Sequence, residues 1–288
     1  MTSIDRNPFR QGLLEGRTLL ITGGGTGLGR SMALKCAGLG AKIAVVGRRE
    51  EPLKTTVGDI ERAGGQAAFA PCDVRDSGSV RSALDALEET LGPINSLINN
   101  AAGNFLCASE DLSDNAFDAV VKIVLYGTFN CTREVGRRLI ERKAEGHVIS
   151  IVTTYAESGS AFVLPSASAK AGVLAMMRSL AVEWATYGIR LNAIAPGPFR
   201  TDGAFSRLMV GELEKQAIRR IPSRRFGEHD ELTNLVAYIL SDASPYQTGD
   251  CVTIDGAEEL LSGQQFAGFA HIDRATAKEM MSAVKPKK

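Results

Sequence analysis

Short runs of apolar and β-branched residues alternate along this chain with longer segments in which apolar residues recur at helical spacing. Seven runs have the length and composition of buried strands: RTLLITG, AKIAVVG, QAAFAPCDV, SLINNA, HVISIVT, IRLNAIAPG and CVTIDG. Segments such as 27-40, 77-91, 114-142 and 165-187 lie between them and have the apolar period of helices. This alternation predicts an α/β, Rossmann-type doubly wound fold with a seven-stranded parallel sheet.

The pattern contains no point at which to divide the chain. No Pro/Gly/Ser-rich linker, low-complexity block or internal repeat interrupts it, and 288 residues that are 44% apolar can bury one large core. We therefore predict a single domain over 16-256. An N-terminal extension, 1-15, precedes it, and a C-terminal tail, 257-288, follows it near the substrate site or a subunit interface.

Composition limits the class of partner. Thirty-three basic residues balance 33 acidic ones, which disfavours nucleic acid or an anionic membrane surface and favours a small molecule. The five cysteines are far apart, with no CxxC pair and no histidines at metal-ligand spacing, so we expect a reducing compartment and no metal. With no signal sequence, membrane span or SKL-type ending in the sequence, we expect a cytoplasmic protein.

A glycine-rich turn follows the first strand. The stretch TGGGTGLGR runs from Thr22 to Arg30 and leads into a helix. Gly23 permits a tight turn, Gly27 lets backbone amides approach a pyrophosphate, and Gly29 lets helix and strand pack closely. Because the turn stands between a strand and a helix, it predicts a dinucleotide site rather than an ordinary turn.

Two arginines end the second strand where NAD-binding proteins usually place an acidic side chain. That acid binds the ribose 2′-hydroxyl, whereas Arg48 and Arg49, with Arg30 nearby, offer positive charge for a 2′-phosphate. The alternative is that Arg49 pairs with Glu50 or Glu51 at a solvated helix start. The arrangement favours NADPH over NADH as the cofactor.

These features together resemble the short-chain dehydrogenase/reductase family over nearly the whole chain. CDV at 72-74 is similar to its adenine-contacting segment, NNAAG at 99-103 to its strand-four motif, and PGP before Thr201 to its nicotinamide-side loop. Within the family the chain most resembles the mitochondrial-type 2,4-dienoyl-CoA reductases, through GGGTGLG, CDVRD, NNAAGNF, YAESGSAFVLPSASAKAG, PGPFRTDGAFSRL and DGAEEL. The resemblance implies cofactor contacts from Thr22, Gly23, Gly25, Thr26, Gly27, Leu28, Arg48, Asp73, Val74, Ala101, Lys170, Pro196, Gly197, Pro198 and Phe199.

The family's catalytic tyrosine is missing from its usual place. Four residues before Lys170 stands Ser166, and the family's strand-five serine is replaced by Thr153. Tyr155 follows two residues later, and on an extended strand it would share a face with Thr153 and enter the same pocket. We therefore expect Tyr155 to replace the missing tyrosine, rather than to pack at a strand end with its hydroxyl in water.

Such a change suits reduction of a conjugated thioester. Hydride then goes to a carbon remote from the carbonyl, and the oxygen of the resulting dienolate needs fixed hydrogen-bond donors. Tyr155 and, by resemblance, Asn104 would be those donors, with the final proton delivered to carbon by water. Lys170 would bind the nicotinamide ribose, and Ser166 is either a packing residue or a hydrogen-bonding partner on the same helix face.

The resemblance also implies residues that hold acyl-CoA. Arg75 and Arg207 would contact its phosphates or adenine, with Arg48 shared between cofactor and substrate, while Phe105 and Ser113 would line the acyl path. The pairs Arg219-Arg220 and Arg224-Arg225 either add a basic rim or are solvated.

Two other activities remain open: an alcohol or 3-ketoacyl dehydrogenase that uses Tyr155 as its acid, and a cofactor-binding protein without turnover. Within the reductase hypothesis, the chain departs from the subgroup at Tyr126, where an asparagine is expected, at Ala257, where a glycine is expected, and in details of the tail. A branched or cyclic enoyl-CoA therefore stays open as a substrate.

The resemblance further suggests a homotetramer built on the helices 114-142 and 165-187. We expect Leu174, Met177 and Leu180 to lie on the outer faces of these helices, although some of them may instead face the sheet.

Overall fold

The computed structural model describes residues 8–201, 212–261 and 267–283. Its sheet has seven parallel strands in the order β3-β2-β1-β4-β5-β6-β7, which confirms the predicted fold class. The strands are β1 Thr18–Thr22, β2 Lys42–Gly47, β3 Ala67–Pro71, β4 Ser96–Asn99, β5 Gly146–Ile151, β6 Ile189–Pro196 and β7 Cys251–Ile254. The strand order reverses direction between β1 and β4, and open α/β sheets bind ligands at this reversal, beyond the carboxyl ends of the strands.

The helices cover both faces of the sheet. In chain order they are α1 Gly27–Gly38, α2 Glu50–Arg62, α3 Ser77–Leu91, α4 Asp114–Val121, α5 Gly127–Arg142, α6 Tyr155–Ser158, α7 Leu164–Trp184, α8 Glu212–Arg220, α9 His229–Leu240, α10 Glu258–Leu261 and α11 Arg274–Ala283. The predicted helix 114-142 is interrupted, because a π-helical turn at Lys122–Tyr126 joins α4 to α5. Tyr126, one of the residues that departs from the resembled subgroup, ends this turn with 56% of its surface exposed.

Two apolar layers fill the molecule. Residues of α3, α5 and α7 form one layer on one face of the sheet, and residues of α1, α2 and α9 form the other. Strands β1, β4 and β5 are buried along their lengths, so they present apolar side chains to both layers. The glycine-rich turn at the end of β1 is thereby held by a rigid frame.

The expectation that Leu174 and Met177 lie on an outer face of α7 is wrong. Both side chains are buried in the core against the sheet, and Leu180 is partly buried against the same layer. A helix packed on a sheet turns its apolar stripe inward, so these residues belong to that stripe. The exposed large side chains of this region are instead Tyr126, Phe129 and Val182.

Ala257 has the left-handed backbone conformation that normally requires glycine. Its φ is 71°, and its backbone N–H donates to Oδ1 of Asp255 at 2.8 Å. A side chain costs free energy in this region because Cβ approaches the neighbouring carbonyl oxygen. The alanine that departs from the resembled subgroup is therefore a strained residue at the exit of β7.

Candidate active site

The glycine-rich turn has the close contacts that its sequence predicts. Gly23 has φ of 67° and Gly27 has φ of 52°, both in the region that favours glycine. A Cβ on Gly29 would collide with the carbonyl oxygen of Gly23 and the side-chain amide of Asn100. Helix α1 can therefore begin directly against β1 only with glycine at this position.

Thr22 ties the two strands at the reversal point together. Its Oγ1 accepts hydrogen bonds of 2.9 Å from the backbone N–H groups of both Asn100 and Ala101. The side chain of Asn100 in turn donates to the carbonyl of Thr22 at 3.0 Å. The ends of β1 and β4 thus form one floor beneath the turn.

A cleft of about 1330 Å³ opens above this floor. Nine of the residues expected to bind a cofactor line it: Gly23, Gly25, Thr26, Gly27, Leu28, Arg48, Asp73, Val74 and Ala101. The N-terminus of α1 points into the cleft, where helix dipole and free N–H groups favour an anion such as a pyrophosphate. The volume and shape fit an extended dinucleotide.

Other expected cofactor residues lie around the cleft and do not line it. Thr22 lies in the floor, and Lys170 is buried behind the cleft. In the predicted nicotinamide-side loop, the Gly197 N–H donates to the carbonyl of Ile254 at 3.0 Å. The remaining loop residues, Pro196, Pro198 and Phe199, also fall outside the lining, which is formed by the two residues after them, Arg200 and Thr201.

The arginines after β2 are exposed at one end of the cleft. The alternative that Arg49 pairs with a neighbouring glutamate does not hold, because Lys54 takes both carboxylates, at 2.9 Å from Glu50 and 3.3 Å from Glu51. Neither Arg48 nor Arg49 forms an ion pair with another residue in the parts of the chain that the structure describes. Arg30 differs, since its guanidinium pairs with Asp59.

Asp73 and Arg75 form a bidentate pair at the same end. Nε of Arg75 lies 2.9 and 3.0 Å from the two carboxylate oxygens of Asp73. The hydrogen bonds from Arg75 lower the pKa of the Asp73 carboxyl, helped by the charge of Arg48. Arg75, expected to contact substrate, is thus partly neutralised by its neighbour.

Three polar groups from separate segments meet beside the cleft. The phenol oxygen of Tyr155 lies 3.4 Å from Oγ of Ser166, and Nδ2 of Asn104 lies 3.4 Å from the same phenol oxygen. The expected residues are therefore brought together. The path is different from the one predicted, because β5 ends at Ile151 and Tyr155 is the first residue of α6, so the argument from an extended strand was wrong.

Lys170 is buried one turn beyond Ser166 on α7. Its Nζ donates to the backbone carbonyl of Ile151. Burial lowers the pKa of the ammonium group to about 8. A cation held at this place balances negative charge that forms nearby, and it can lose its proton within the range where many enzymes are assayed.

The outer wall of the site consists of two loops. Oδ1 of Asn104 accepts from the backbone N–H of Phe105 at 2.9 Å, and the Phe105 side chain packs against the core. The Cys107 N–H donates to the carbonyl of Phe162 at 2.9 Å, which joins the two loops. Exposed apolar side chains stand at this wall: Leu106, Phe162 and Leu164.

Two further residues expected to bind substrate have other positions. Ser113 is the N-cap of α4, and its Oγ accepts from the Ala116 N–H at 3.3 Å. This gives the side chain a structural role of its own. Arg207 lies outside the described residues.

The arginine pairs after α8 are largely engaged. Arg220 pairs with Glu258 at 3.3 Å, and Arg225 holds Glu231 with contacts of 2.6 and 2.8 Å. Arg224 donates to the carbonyl of Arg219. These contacts favour a structural surface over a basic rim for phosphates.

Comparison with known proteins agrees with this arrangement of turn, cleft and helix. A family model described as enoyl-(acyl carrier protein) reductase matches residues 23–257. A crystal structure of a short chain dehydrogenase from Bacillus anthracis superposes with a TM-score of 0.80 at 41% identity, covering 86% of this chain and 98% of that one. The chain belongs to the short-chain dehydrogenase/reductase family. It is thus an oxidoreductase, and the family uses a nicotinamide cofactor.

Among relatives of this short-chain dehydrogenase/reductase, two carry names that describe an activity. One, from Caenorhabditis elegans, is named probable 2,4-dienoyl-CoA reductase, (3E)-enoyl-CoA-producing; it is 41% identical, with 91% of this chain and 87% of the relative covered. The other, from Bacillus subtilis, is named probable 2,4-dienoyl-CoA reductase, (2E)-enoyl-CoA-producing; it is also 41% identical, with 86% and 98% covered. The two names agree on the substrate and differ in the product.

Sequence reasoning missed several residues that line the cleft of this short-chain dehydrogenase/reductase. Ser31 and His229 contact one another across it, although they are 198 positions apart in sequence. No motif marks either residue. Only their position relative to the glycine-rich turn reveals them.

Described residues contain no cluster of side chains suited to a metal ion, and no described helix is long and apolar enough to span a membrane.

Proposed function

We propose that this chain is an NADPH-dependent reductase of 2,4-dienoyl-CoA thioesters that yields 3-enoyl-CoA for the auxiliary steps of fatty-acid β-oxidation. The observation that carries the proposal is the convergence of Tyr155, Ser166 and Asn104 at 3.4 Å contacts, with no tyrosine at position 166. The activity named for the two relatives supports the same substrate class.

The roles of the side chains follow from where charge develops. When bound, the nicotinamide supplies a hydride to the δ-carbon of the dienoyl group. Negative charge then moves to the thioester oxygen, where the phenol of Tyr155 and the amide of Asn104 donate hydrogen bonds. Water protonates the resulting dienolate at carbon. No side chain has to give up a proton to the thioester oxygen, so the usual tyrosine of α7 is unnecessary.

Lys170 and Ser166 support this cluster from α7. The Lys170 ammonium supplies positive charge behind the site and is placed to hold the nicotinamide ribose hydroxyls. Ser166 is buried and contacts the phenol oxygen of Tyr155, so it fixes the direction of that hydroxyl. This resolves the choice for Ser166 in favour of a hydrogen-bonding role.

The cofactor preference rests on charge at the far end of the cleft. Exposed Arg48 and Arg49, which have no carboxylate partner among the described residues, fit a 2′-phosphate, and no acidic side chain follows β2 to bind a 2′-hydroxyl. The glycines of the turn leave room for the pyrophosphate, since side chains there would collide with neighbouring groups. We assign the expected lining residues, with Thr22 and residues 196–199 in support, to this cofactor.

Substrate contacts are proposed with the same residues. Arg48 is near enough to the cleft mouth to serve both cofactor and CoA, and Arg75 would have to exchange Asp73 for a phosphate. Phe105 with the exposed Leu106, Phe162 and Leu164 offers an apolar surface for the acyl chain. Arg207 and Ser113 remain assigned to the substrate, by resemblance alone.

One experiment separates this activity from its competitors. NADPH oxidation is followed at 340 nm with 2,4-dienoyl-, 2-enoyl- and 3-ketoacyl-CoA substrates, together with loss of the dienoyl absorbance. We expect turnover on the dienoyl thioester and identify the product double bond by NMR. Turnover only on 3-ketoacyl-CoA would mean that Tyr155 acts as an acid for a carbonyl, and binding without turnover would mean that the chain is not a reductase.

We also propose a homotetramer in the cytoplasm. Tyr126, Phe129 and Val182 on the outer faces of the π-turn, α5 and α7 are exposed apolar surface suited to a subunit interface. Light scattering at micromolar concentration tests the assembly, and fractionation tests the location.

A further inference from the structure

His229 makes two hydrogen bonds that join opposite walls of the cleft. Its Nδ1 lies 2.6 Å from Oγ of Ser31, which is on α1 just after the glycine-rich turn. Its Nε2 contacts the backbone carbonyl of Arg200, in the loop after β6. The imidazole therefore bridges the helix at the pyrophosphate end of the cleft to the loop that faces it.

The proton positions in this bridge follow from its acceptors. A carbonyl oxygen only accepts, so Nε2 of His229 carries the hydrogen in the contact with Arg200. In the neutral ring Nδ1 is then an acceptor, and the hydroxyl of Ser31 donates to it. Ser31 Oγ also lies 3.2 Å from the carbonyl of Gly27, so the bridge ends on the glycine-rich turn itself.

The imidazole is held rigidly. His229 is the first residue of α9, and a capping box formed by Glu228 and Glu231 fixes that end of the helix. Arg225 holds the Glu231 carboxylate, while Leu232 and Val236 bury the helix against α1. The ring thus contributes its contacts without losing much side-chain freedom.

The two walls approach closely beside the bridge. A Cβ built on Gly27 would lie 3.4 Å from Cγ2 of Thr201, so turn and loop are nearly in van der Waals contact there. A backbone bridge between Phe199 and Gly227 holds the same loop from its other side. The His229 bridge therefore sets the separation of the walls at the pyrophosphate and nicotinamide end, far from Arg48.

We infer that His229 is a positioning residue that, through Ser31 and the Arg200 carbonyl, preorganises the cleft for the pyrophosphate–nicotinamide half of the cofactor. The inference rests on the proposed NADPH site and adds a residue to it. Without the imidazole, the loop must be ordered when the cofactor binds, and this cost reduces affinity. Chemistry at Tyr155 does not require the ring.

The test measures NADPH affinity by fluorescence titration and KM and kcat on dienoyl-CoA for wild type and His229→Ala. Losing hydrogen bonds of this kind should raise Kd and KM for NADPH about fivefold, with kcat at saturation changed less than twofold. Adenosine 2′-monophosphate, tested as an inhibitor competitive with NADPH, should bind within twofold of wild type because it reaches only the Arg48 end. His271→Ala, an exposed histidine, is the matched control.

Two further variants identify the bridge itself. His229→Gln retains a donor for the Arg200 carbonyl and should bind NADPH more tightly than His229→Ala. Ser31→Ala should weaken NADPH binding, and the double variant Ser31→Ala, His229→Ala should be no weaker than His229→Ala alone. Ser31→Ala also provides the test should His229→Ala fold poorly.

The outcomes separate this inference from the proposed function. Wild-type affinity in His229→Ala, additive effects in the double variant, or an equal loss for adenosine 2′-monophosphate would each overturn the positioning role. A wild-type protein that does not bind NADPH would instead overturn the cofactor assignment, before any variant is considered.

Discussion

The phenol oxygen of Tyr155 lies 3.4 Å from Oγ of Ser166, the residue that occupies the usual place of the family's catalytic tyrosine. The two side chains come from different helices, α6 and α7, and the amide of Asn104 reaches the same phenol from a third segment. The aromatic hydroxyl has thus moved to another helix while remaining at the family's catalytic position.

We predict that Tyr155→Phe lowers kcat on 2,4-dienoyl-CoA about 10²- to 10³-fold, the range for removal of one donor to a developing oxyanion. NADPH affinity should change less than twofold, because the phenol does not line the cofactor cleft. Steady-state kinetics and cofactor titration measure both quantities. Tyr126→Phe, at an exposed tyrosine, is the control.

Adding Ser166→Tyr to Tyr155→Phe should not restore turnover, since Ser166 is buried and a larger ring would intrude on the acyl path. Full activity of Tyr155→Phe on every thioester tested would show that the relocated-tyrosine hypothesis is wrong, and Ser166 with Lys170 would become the working pair.

Arg48→Ala should reduce the preference for NADPH over NADH at least tenfold, equivalent to about 1.4 kcal/mol, because it removes a cation from the 2′-phosphate. NADH binding should change little. Arg49→Ala should act in the same direction, and Arg62→Ala, at the other end of α2, serves as the control. Titration with both cofactors checks this, and equal affinities of the wild type for the two would contradict the assignment.

The pH profile should report the ionisation of Lys170. Burial lowers the pKa of this ammonium group to about 8, so kcat/KM for NADPH should fall as pH rises through about 8 and the cation is lost. In Lys170→Arg the guanidinium stays charged, so activity should be lower but without this limb. A limb retained in Lys170→Arg would assign the titration to another group.

Stability should change in the opposite direction with pH. The folded-state pKa of Lys170 lies below its ordinary value of 10.5, so the unfolded chain binds the proton more strongly between about pH 8 and 10.5. The free energy of unfolding contributed by this residue therefore rises over that window. Urea unfolding of wild type and Lys170→Met isolates the effect, which should be absent in the variant.

Glu88 joins α3 to α5, with carboxylate contacts of 2.7 Å to Arg138 and 2.6 Å to Arg142. Although burial alone would raise the pKa of this carboxyl, the hydrogen bonds from Arg142, the Ile94 N–H and Arg138 lower it to about 2. The stability it contributes is present above its ordinary pKa of 4.5 and is lost as pH falls through about 2.

Glu88→Gln should therefore destabilise the protein at pH 6 and show a shallower loss of stability on acidification. Urea unfolding at several pH values measures this. Glu89→Gln, on the exposed side of the same helix, should leave the acid limb as in wild type.

Ala257→Gly should stabilise the protein by about 0.5–1 kcal/mol, because glycine adopts the positive φ at this position without steric cost. Ala63→Gly is the matched control: Ala63 has φ of -84°, so glycine there gives only the entropic penalty and lowers stability. Thermal unfolding compares the two. A destabilised Ala257→Gly would show that the alanine methyl makes packing contacts that outweigh the strain.

The sequence alone determined the architecture of this protein. Buried β-branched strands, helical periods and the glycine pattern from Thr22 to Arg30 depend on local preferences and on burial, so they specify the parallel sheet and the turn above it. The same local logic located Arg48 at the end of β2 and marked Ala257 as unusual, since a missing acid or glycine is visible in the sequence itself.

The tertiary structure decided how distant side chains meet. Local pattern could not show that the chain turns into α6 after Ile151, and so the strand argument for Tyr155 was wrong although its position near Ser166 was right. Nor could it show that Met177 faces the sheet, because an apolar residue on a helix suits a core or an interface equally. The contact of Ser31 with His229 depends on how α1 packs against α9, and no local preference encodes that distance.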